Sequence, residues 1–363
     1  MQFSIPSFSF NLGKSKSVVG LDIGSSSVKA VELAVKPKGF ELVHLGVAHL
    51  PPEAIVQGAF LNSGAIVEAI KECLASARIK ATQAAVAVSG HSVIVKKISL
   101  PSMSREELEE SIRWEAEQYI PFDVNEVNLD FQILSSGQAE GQMDVLLVAA
   151  KKDLIADYTH VLTDAGLQPV VIDVAAFAVE NAYEASHGAA HEAVVALVNI
   201  GAQTANINIL ANGTPAFTRD ISTGGNQFTE EIQKALSISF EEAERIKLGG
   251  SGAEESQEVV PHEVEQAMRT VSHTVIGEIT RSLDFFSATS ADSKVGRIVL
   301  AGGGSKVPGL DSLFHEKTNI PVERLNPLSK MLPSSRFEPG YLEEVAPFLG
   351  VGVGLALRRA DER

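Results

Sequence analysis

Apolar residues alternate with polar or small ones through Val18–Ile23, Val28–Leu33 and Phe40–Ala48, the period of half-buried strands. From Ser63 to Ala77 the spacing changes. Ile66, Ile70 and Leu74 recur every fourth residue and predict one face of a helix. The chain therefore opens as a βββα unit.

Strands are predicted next at Ala84–Val88 and Val93–Ile98, around the turn Ser89–Gly90–His91. Ser104 with Glu107 then makes a capping box, each side chain answering an orphan backbone N–H, and Met103 with Leu108 is placed to staple it. That helix runs through Ile112 and Ala116 to Tyr119 and stops at Pro121. Strands at Asn128–Leu134 and Val145–Ala150 flank the polar turn Ser135–Gln142, and a helix from Asp153 to Ala165 ends at Gly166. Residues 81–168 read as a compact inserted α+β unit. The main pattern resumes with a strand at Pro169–Ile172, a helix at Ala175–Ala185, and strands at Val194–Val198, Ala205–Leu210 and Ala216–Ile221. Helices follow at Asn226–Leu236 and Phe240–Leu248, then an acidic loop, Gly249–Val260, and a long helix, His262–Ala288. A strand at Arg297–Ala301, a glycine run, a helix at Leu310–Thr318 and a closing helix from Val345 to Arg358 complete the α/β pattern.

One long-range duplication underlies this order. Val18–Leu33, VVGLDIGSSSVKAVEL, resembles Val195–Leu210, VALVNIGAQTANINIL, so that Asp22 pairs with Asn199, Gly24 with Gly201 and Ser27 with Thr204. Each copy is a strand, a glycine turn and a returning strand. The glycine opens turn conformations that other residues resist, and the N–H groups of such a turn converge into an anion-binding concavity. The hydroxyls of Ser25, Ser26, Ser27 and Thr204 add hydrogen bonds to phosphate oxygens, and Lys29 adds a point charge. Asp22, at the strand end, is placed to hold Mg²⁺ through water.

Composition narrows the alternatives. Of 363 residues, 45 % are hydrophobic and 21 % charged, enough apolar material for two cored lobes. The net charge of −16 comes without a basic stripe, which argues against a nucleic-acid partner. Cys73 is the single cysteine and reads as a buried, inert thiol. No apolar run reaches the roughly 20 residues of a membrane span. The Phe-rich start, with Phe3, Phe8 and Phe10, reads as a flexible tail. A P-loop string is missing, and the glycine run near Leu300 lacks the strand and acid of a dinucleotide site.

The order of motifs resembles the actin-like ATPases. GLDIGSSSVKAVE, a small inserted domain, VIDVAAFAVENA, VNIGAQT, STGGNQF, EEAERIKLGG and LAGGGSKVPGL follow one another as in that superfamily. Within it, SLPSMSREELEESIRWEAEQYIPF and VLLVAAKKDLIADY are similar to the FtsA-related PilM family, the cytoplasmic component of type IV pilus assembly. The resemblance implies two duplicated lobes with βββαβα cores around a nucleotide cleft, plus an inserted α+β domain as in FtsA. The expected division is a tail at 1–16, a first lobe at 17–80, 169–193 and 341–359, a small domain at 81–168, and a second lobe at 194–340 with a helical subdomain at 223–295. Asp22, Gly24, Ser25, Ser26, Ser27 and Lys29 would hold ATP and Mg²⁺ from the first lobe, and Asn199, Gly201, Ala202, Gln203 and Thr204 from the second. Gly224 and Gly225 would approach the phosphate tail, Glu244 and Lys247 the ribose, and Gly302, Gly303, Gly304 and Ser305 the adenosine.

The same resemblance implies a partner. The N-terminal cytoplasmic peptide of membrane-anchored PilN would lie in a groove between first lobe and small domain and hold the chain, itself cytoplasmic, at the inner membrane. Trp114, Tyr119 and Phe122 are the aromatic candidates for that groove. Other pilus assembly proteins, the assembly ATPases among them, are further expected partners, and self-association stays open. One departure stands out: Asn199 occupies a place where an acid is expected, and an amide is no base near neutral pH. The resemblance therefore implies tight ATP binding with slow turnover at most. The alternatives are an FtsA-like cell-division filament, which calls for a C-terminal membrane helix where this chain reads LALRRADER, and an actin-fold small-molecule kinase. A kinase needs a general base, and His91, His160 and Asp220 show no spacing that suggests one.

Overall fold

The computed structural model describes residues 18–136, 141–188, 194–248, 262–290 and 294–358. The N-terminal Phe-rich tail and the acidic loop Gly249–Val260 lie outside the described residues. In chain order the first part holds β1 (Val18–Ile23), β2 (Ser27–Lys36), β3 (Gly39–His49), β4 (Ile55–Val56), β5 (Ala59–Phe60), α1 (Ser63–Ser76) and β6 (Gln83–Val88). A separate unit follows: β7 (Val93–Pro101), α2 (Arg105–Ala116), β8 (Val127–Ser136) and β9 (Gln142–Lys151). Then come α3 (Lys152–Asp164), β10 (Gln168–Val174) and α4 (Ala175–His187). The second half holds β11 (Val195–Ile200), β12 (Ala205–Ala211), β13 (Thr214–Ile221), α5 (Gly225–Leu236), α6 (Phe240–Lys247), α7 (His262–Thr289), β14 (Arg297–Ala301), α8 (Leu310–Thr318), β15 (Val322–Arg324), α9 (Pro339–Val345) and α10 (Gly350–Ala356).

The duplication seen in the sequence is a duplication of sheets. One five-stranded sheet runs β10-β6-β1-β2-β3 and the other β15-β14-β11-β12-β13. In each, the glycine-turn hairpin is antiparallel and its first strand pairs in parallel with a later one, β1 with β6 and β11 with β14. The register repeats as well: Asp22 lies opposite Lys29, and Asn199 opposite Asn206.

The expected small-domain boundary moves inward. Gln83–Val88 pairs with β1 and β10 inside the first sheet, so it belongs to the lobe. α3 likewise buries Ile155, Tyr158, Val161 and Leu162 in the first-lobe core. What stands apart is the three-stranded sheet β7-β9-β8 with α2, closed over its own core of Leu108, Ile112, Phe131 and Leu147. The apolar run Ala84–Val88 of this strand, buried throughout, suits a central parallel position covered on both faces. The capping box on Ser104 and Glu107 is present as expected.

α4 and α10 join the lobes. One apolar cluster takes Val31 and Leu33 from the first sheet, Val195, Leu197 and Val299 from the second, and Ala178, Val179, Val351 and Val353 from these two helices. The closing helix is shorter than expected, because α9, a one-turn 3₁₀ segment at Ala346–Phe348 and α10 replace it. The segment after β15 does not stay with the second lobe, since Leu332 N–H donates to Phe40 O at 2.7 Å on β3. α7 serves two bodies: Val275, Ile279 and Phe286 pack under the second sheet, while Val264 and Ala267 meet Ile232 and Ala243 of α5 and α6. Cys73 is fully buried, and burial pushes its thiol up to about 11. Among the described residues, no helix is long and apolar enough to cross a membrane.

Candidate functional site

The two hairpins close with the same turn bond. Gly24 N–H donates to Ser27 O at 3.1 Å, and Gly201 N–H to Thr204 O at 2.9 Å. Beneath the first turn, Lys29 Nζ pairs with Asp22 Oδ2 at 3.1 Å, both largely buried. The Lys29 charge is thus held by Asp22, and a metal on Asp22 would have to share that carboxylate with the ammonium. Beneath the second turn the same cross-strand contact is neutral: Asn199 Nδ2 donates to Asn206 Oδ1 at 3.1 Å. Ser27 is buried, Ser25 half-buried and Ser26 exposed at the tip.

Gly224 and Gly225 lie against the second hairpin. Gly225 N–H donates to Gly201 O at 2.9 Å and Asn226 N–H to Ala202 O at 2.8 Å, so hairpin carbonyls satisfy orphan donors at the start of α5. A Cβ on Gly224 would come within 2.6 Å of Ala202 O. The close approach these glycines permit is therefore to the hairpin backbone. Glu244 and Lys247 are drawn into the same place. Lys247 Nζ donates to Glu244 Oε2 at 2.6 Å, Thr229 Oγ1 at 3.0 Å and Gly225 O at 3.3 Å, and Thr229 Oγ1 donates to Glu244 Oε2. Lys247 is buried by this network, whereas the Glu244 side chain stays 35 % exposed and can still accept a hydroxyl.

The glycine run divides its work. Gly302 has φ +83°, and its Cβ would sit 2.3 Å from Ile200 O; on Gly304 a Cβ would sit 2.4 Å from Ile200 Cγ2. Both are required for the turn to press on the end of β11. Ser305 is buried and donates to Gly302 O at 2.7 Å, locking that turn. Gly303 has nothing within 4 Å of its Cβ position and presents open backbone.

Side-chain links also cross from lobe to lobe, and no spacing along the chain announces them. Gln203 Nε2 donates to Ile55 O at 2.9 Å, and Gln57 N–H donates to Gln203 Oε1 at 3.0 Å, so the tip of the second hairpin grips β4 and the turn after it. On another side, Gly90 N–H donates to Asp220 Oδ2, and Asn206 Nδ2 donates to Asp220 Oδ1 at 2.7 Å. His91 Nε2 lies 3.2 Å from Ser222 Oγ. Burial raises the Asp220 carboxyl, and the hydrogen bonds from Asn206 and Gly90 and the nearby His91 oppose that rise. Asp220 and His91, unremarkable by spacing, thus meet at the seam. The internal repeat held one usable sign, because it aligns Asn206 with Lys29.

This seam opens into a groove of about 390 Å³, lined by Gly90 and His91, Val93–Val95, Pro121 and Phe122, Val174, and Thr218–Asp220. It lies where first lobe, small domain and second lobe meet, rather than between the first two alone. β7 and β13 both end their sheets. Phe122 lines the groove, Tyr119 packs on the small-domain core, and Trp114 stands 74 % exposed on α2.

The residues present fit a nucleotide. Two glycine turns and hydroxyls at the tips would offer donors to phosphate, and the exposed edge of Glu244 and the open backbone at Gly303 could meet a ribose and a base. Among the described residues no three His, Cys, Asp or Glu side chains form a metal cage. Mg²⁺ commonly takes one or two carboxylates and completes its shell with phosphate and water, and Asp22 would be the carboxylate available to it.

The fold and these motifs have known counterparts. The solved PilM–PilN type IV pilus biogenesis complex contains a chain 33 % identical, covering 94 % of this chain and 98 % of that one, with a TM-score of 0.83. The cell division protein FtsA of Bacillus subtilis (strain 168) is 23 % identical over 385 residues, 93 % of this chain and 82 % of that protein. MreB5 of Spiroplasma citri, solved bound to ADP, shares the fold at 14 % identity and a TM-score of 0.51, with 94 % and 95 % of the two chains covered. The family described as Type IV pilus assembly protein PilM matches residues 20–360. With its two actin-like lobes, paired glycine hairpins and inserted small sheet, the chain belongs to the PilM family of type IV pilus assembly proteins.

Proposed function

We propose that this chain is a nucleotide-responsive cytoplasmic adaptor of pilus assembly. It binds ATP with Mg²⁺ between the two hairpins and the N-terminal cytoplasmic peptide of PilN in the seam groove. PilN then holds it at the inner membrane, and its nucleotide state is passed to the assembly machinery and to twitching motility. The groove carries this reading: two sheet edges, β7 and β13, border it, and the apolar Val93, Val95, Phe122 and Val174 line it. An extended peptide binds such a place through main-chain hydrogen bonds to an edge and alternate side chains in pockets. The 33 % identical chain solved as a PilM–PilN complex supports the same partner.

ATP serves here as a conformational ligand. Asn199 places an amide where a carboxylate would organise metal or the attacking water, and Asp22 already neutralises Lys29. Turnover is expected well below about 1 s⁻¹, under the usual enzymatic range. Calorimetry with MgATP and a synthetic PilN N-terminal peptide tests the assignment, alongside a phosphate-release assay. Saturable binding of both ligands with slow release supports it. Binding of ATP without the peptide removes the PilN role, and rapid sustained hydrolysis removes the adaptor role.

A further inference from the structure

One unbroken run of hydrogen bonds joins the second hairpin to the groove. Asn199 Nδ2 donates to Asn206 Oδ1, Asn206 Nδ2 donates to Asp220 Oδ1, and Asp220 Oδ2 accepts from Gly90 N–H. Asn199 stands near the end of the strand that carries the hairpin. Gly90 follows β6 in the first lobe and lines the groove together with Asp220. The last bond therefore crosses the boundary between the lobes. Asn206 is buried, so water does not readily replace either of its partners.

Each link sets the direction of the next. Because Asn206 gives its oxygen to Asn199, it must offer its NH₂ to Asp220. A carboxylate at position 199 would only accept, and Asn206 would have to turn its NH₂ away from Asp220 and face it with oxygen. Asparagine at 199 is thus the residue that the run requires, and its departure from an expected acid acquires a physical reason.

The geometry points to Asn206 and Asp220 as positioning residues that couple the groove to the nucleotide hairpin. This rests on the binding reading above. A groove occupant that shifts the Gly90 turn changes the bond to Asp220, and through Asn206 the set of Asn199. Lobe closure around ATP changes the same bond from the other end. Coupling of this kind must be reciprocal.

Calorimetry on the full chain measures it, with MgATP titrated in the presence and absence of the PilN N-terminal peptide. In the wild type the peptide is expected to change ATP affinity by about 5-fold or more. Asn206→Asp keeps the acceptor for Asn199 but sets carboxylate against carboxylate at Asp220, and the coupling should fall to near unity while each ligand alone still binds. Adding Asp220→Asn lets the new amide donate to the carboxylate at position 206 and accept from Gly90, and the double variant should regain coupling. Wild-type coupling in folded Asn206→Asp overturns the inference. So do two ligands that bind the wild type independently, an outcome that leaves the binding function standing. Should neither ligand bind the wild type, both readings fall. If Asn206→Asp does not fold, hydrogen exchange at the wild-type Gly90 amide decides: altered protection on adding MgATP supports the run, and unchanged protection overturns it.

Discussion

Glu180 shows what a single residue does inside the joint between the lobes. It lies on α4, buried, with Asn208 Nδ2 donating to its Oε2 at 2.8 Å. Burial pushes its carboxyl from 4.5 up to about 8; the Asn208 hydrogen bond opposes the rise, and Glu184 and Asp173 add to it. Between those two values the folded chain keeps a proton that the unfolded chain releases. Stability from this group is therefore full below pH 4.5 and is lost as pH rises through about 8. Glu180→Gln fills the same space without a titration. Relative to wild type, the variant should gain thermal midpoint as pH rises from 5 to 8.5, by ~5 °C or more. Parallel melting curves for the two proteins over that range would contradict the assignment. The motif VIDVAAFAVENA contains Glu180 but does not announce its buried charge, since its environment is assembled by contacts with β12 from the other half of the chain.

At the scale of elements, legibility follows local signals. Val18–Ile23, Arg297–Ala301 and Leu310–Thr318 occupy the spans their patterns predict, and the Ser104 box caps its helix. These features are written within a few residues of one another. β4, β5 and β15 are two or three residues long, too short for a period to register. The Gln83–Val88 strand is legible as a strand, but which sheet it joins is settled by pairing with β1, distant in sequence. The closing helix is shorter than its pattern predicts because a one-turn 3₁₀ segment with Pro347 precedes it, and the glycines of α10 serve packing. On Gly354 a Cβ would lie 1.7 Å from Ala178 O, and on Gly20 within 2.3 Å of Gly352 O. α10 thus lies backbone-to-backbone on α4 and β1, a contact that outweighs the poor helix propensity of its three glycines. Gly354→Ala must spread this crossing and should cost ~3 kcal/mol or more. Gly340→Ala in α9 meets nothing within 4 Å and should stay within about 1 kcal/mol of wild type. Chemical denaturation of the two variants checks both, and equal midpoints would remove the claim that α4 and α10 need this closeness.

For the whole molecule, the joint at α4 and α10 leaves lobe closure to contacts on the cleft side. Gln203 is placed for that task. The repeat and the glycine turn make the hairpins legible as an anion cradle, and on that pattern Gln203 should meet phosphate. The structure instead commits both ends of its amide to the opposite lobe, at Ile55 O and Gln57 N–H. No sequence pattern reports a contact between residues so far apart along the chain. The amide can make these two bonds only while the lobes are close, so they favour the closed state by their net worth, about 1–2 kcal/mol together. A nucleotide held between the lobes then leaves more slowly. Gln203→Ala should speed release of a fluorescent ATP analogue by about tenfold in stopped flow. It should also strip hydrogen-exchange protection from the Gln57 amide, which a role confined to phosphate would leave in place. A folded variant with unchanged release and an intact Gln57 amide would show that closure rests on other contacts. The groove-side bond between Gly90 and Asp220 would then be the next lobe-crossing contact to test, and its loss in Asp220→Ala should open the molecule where Gln203→Ala did not.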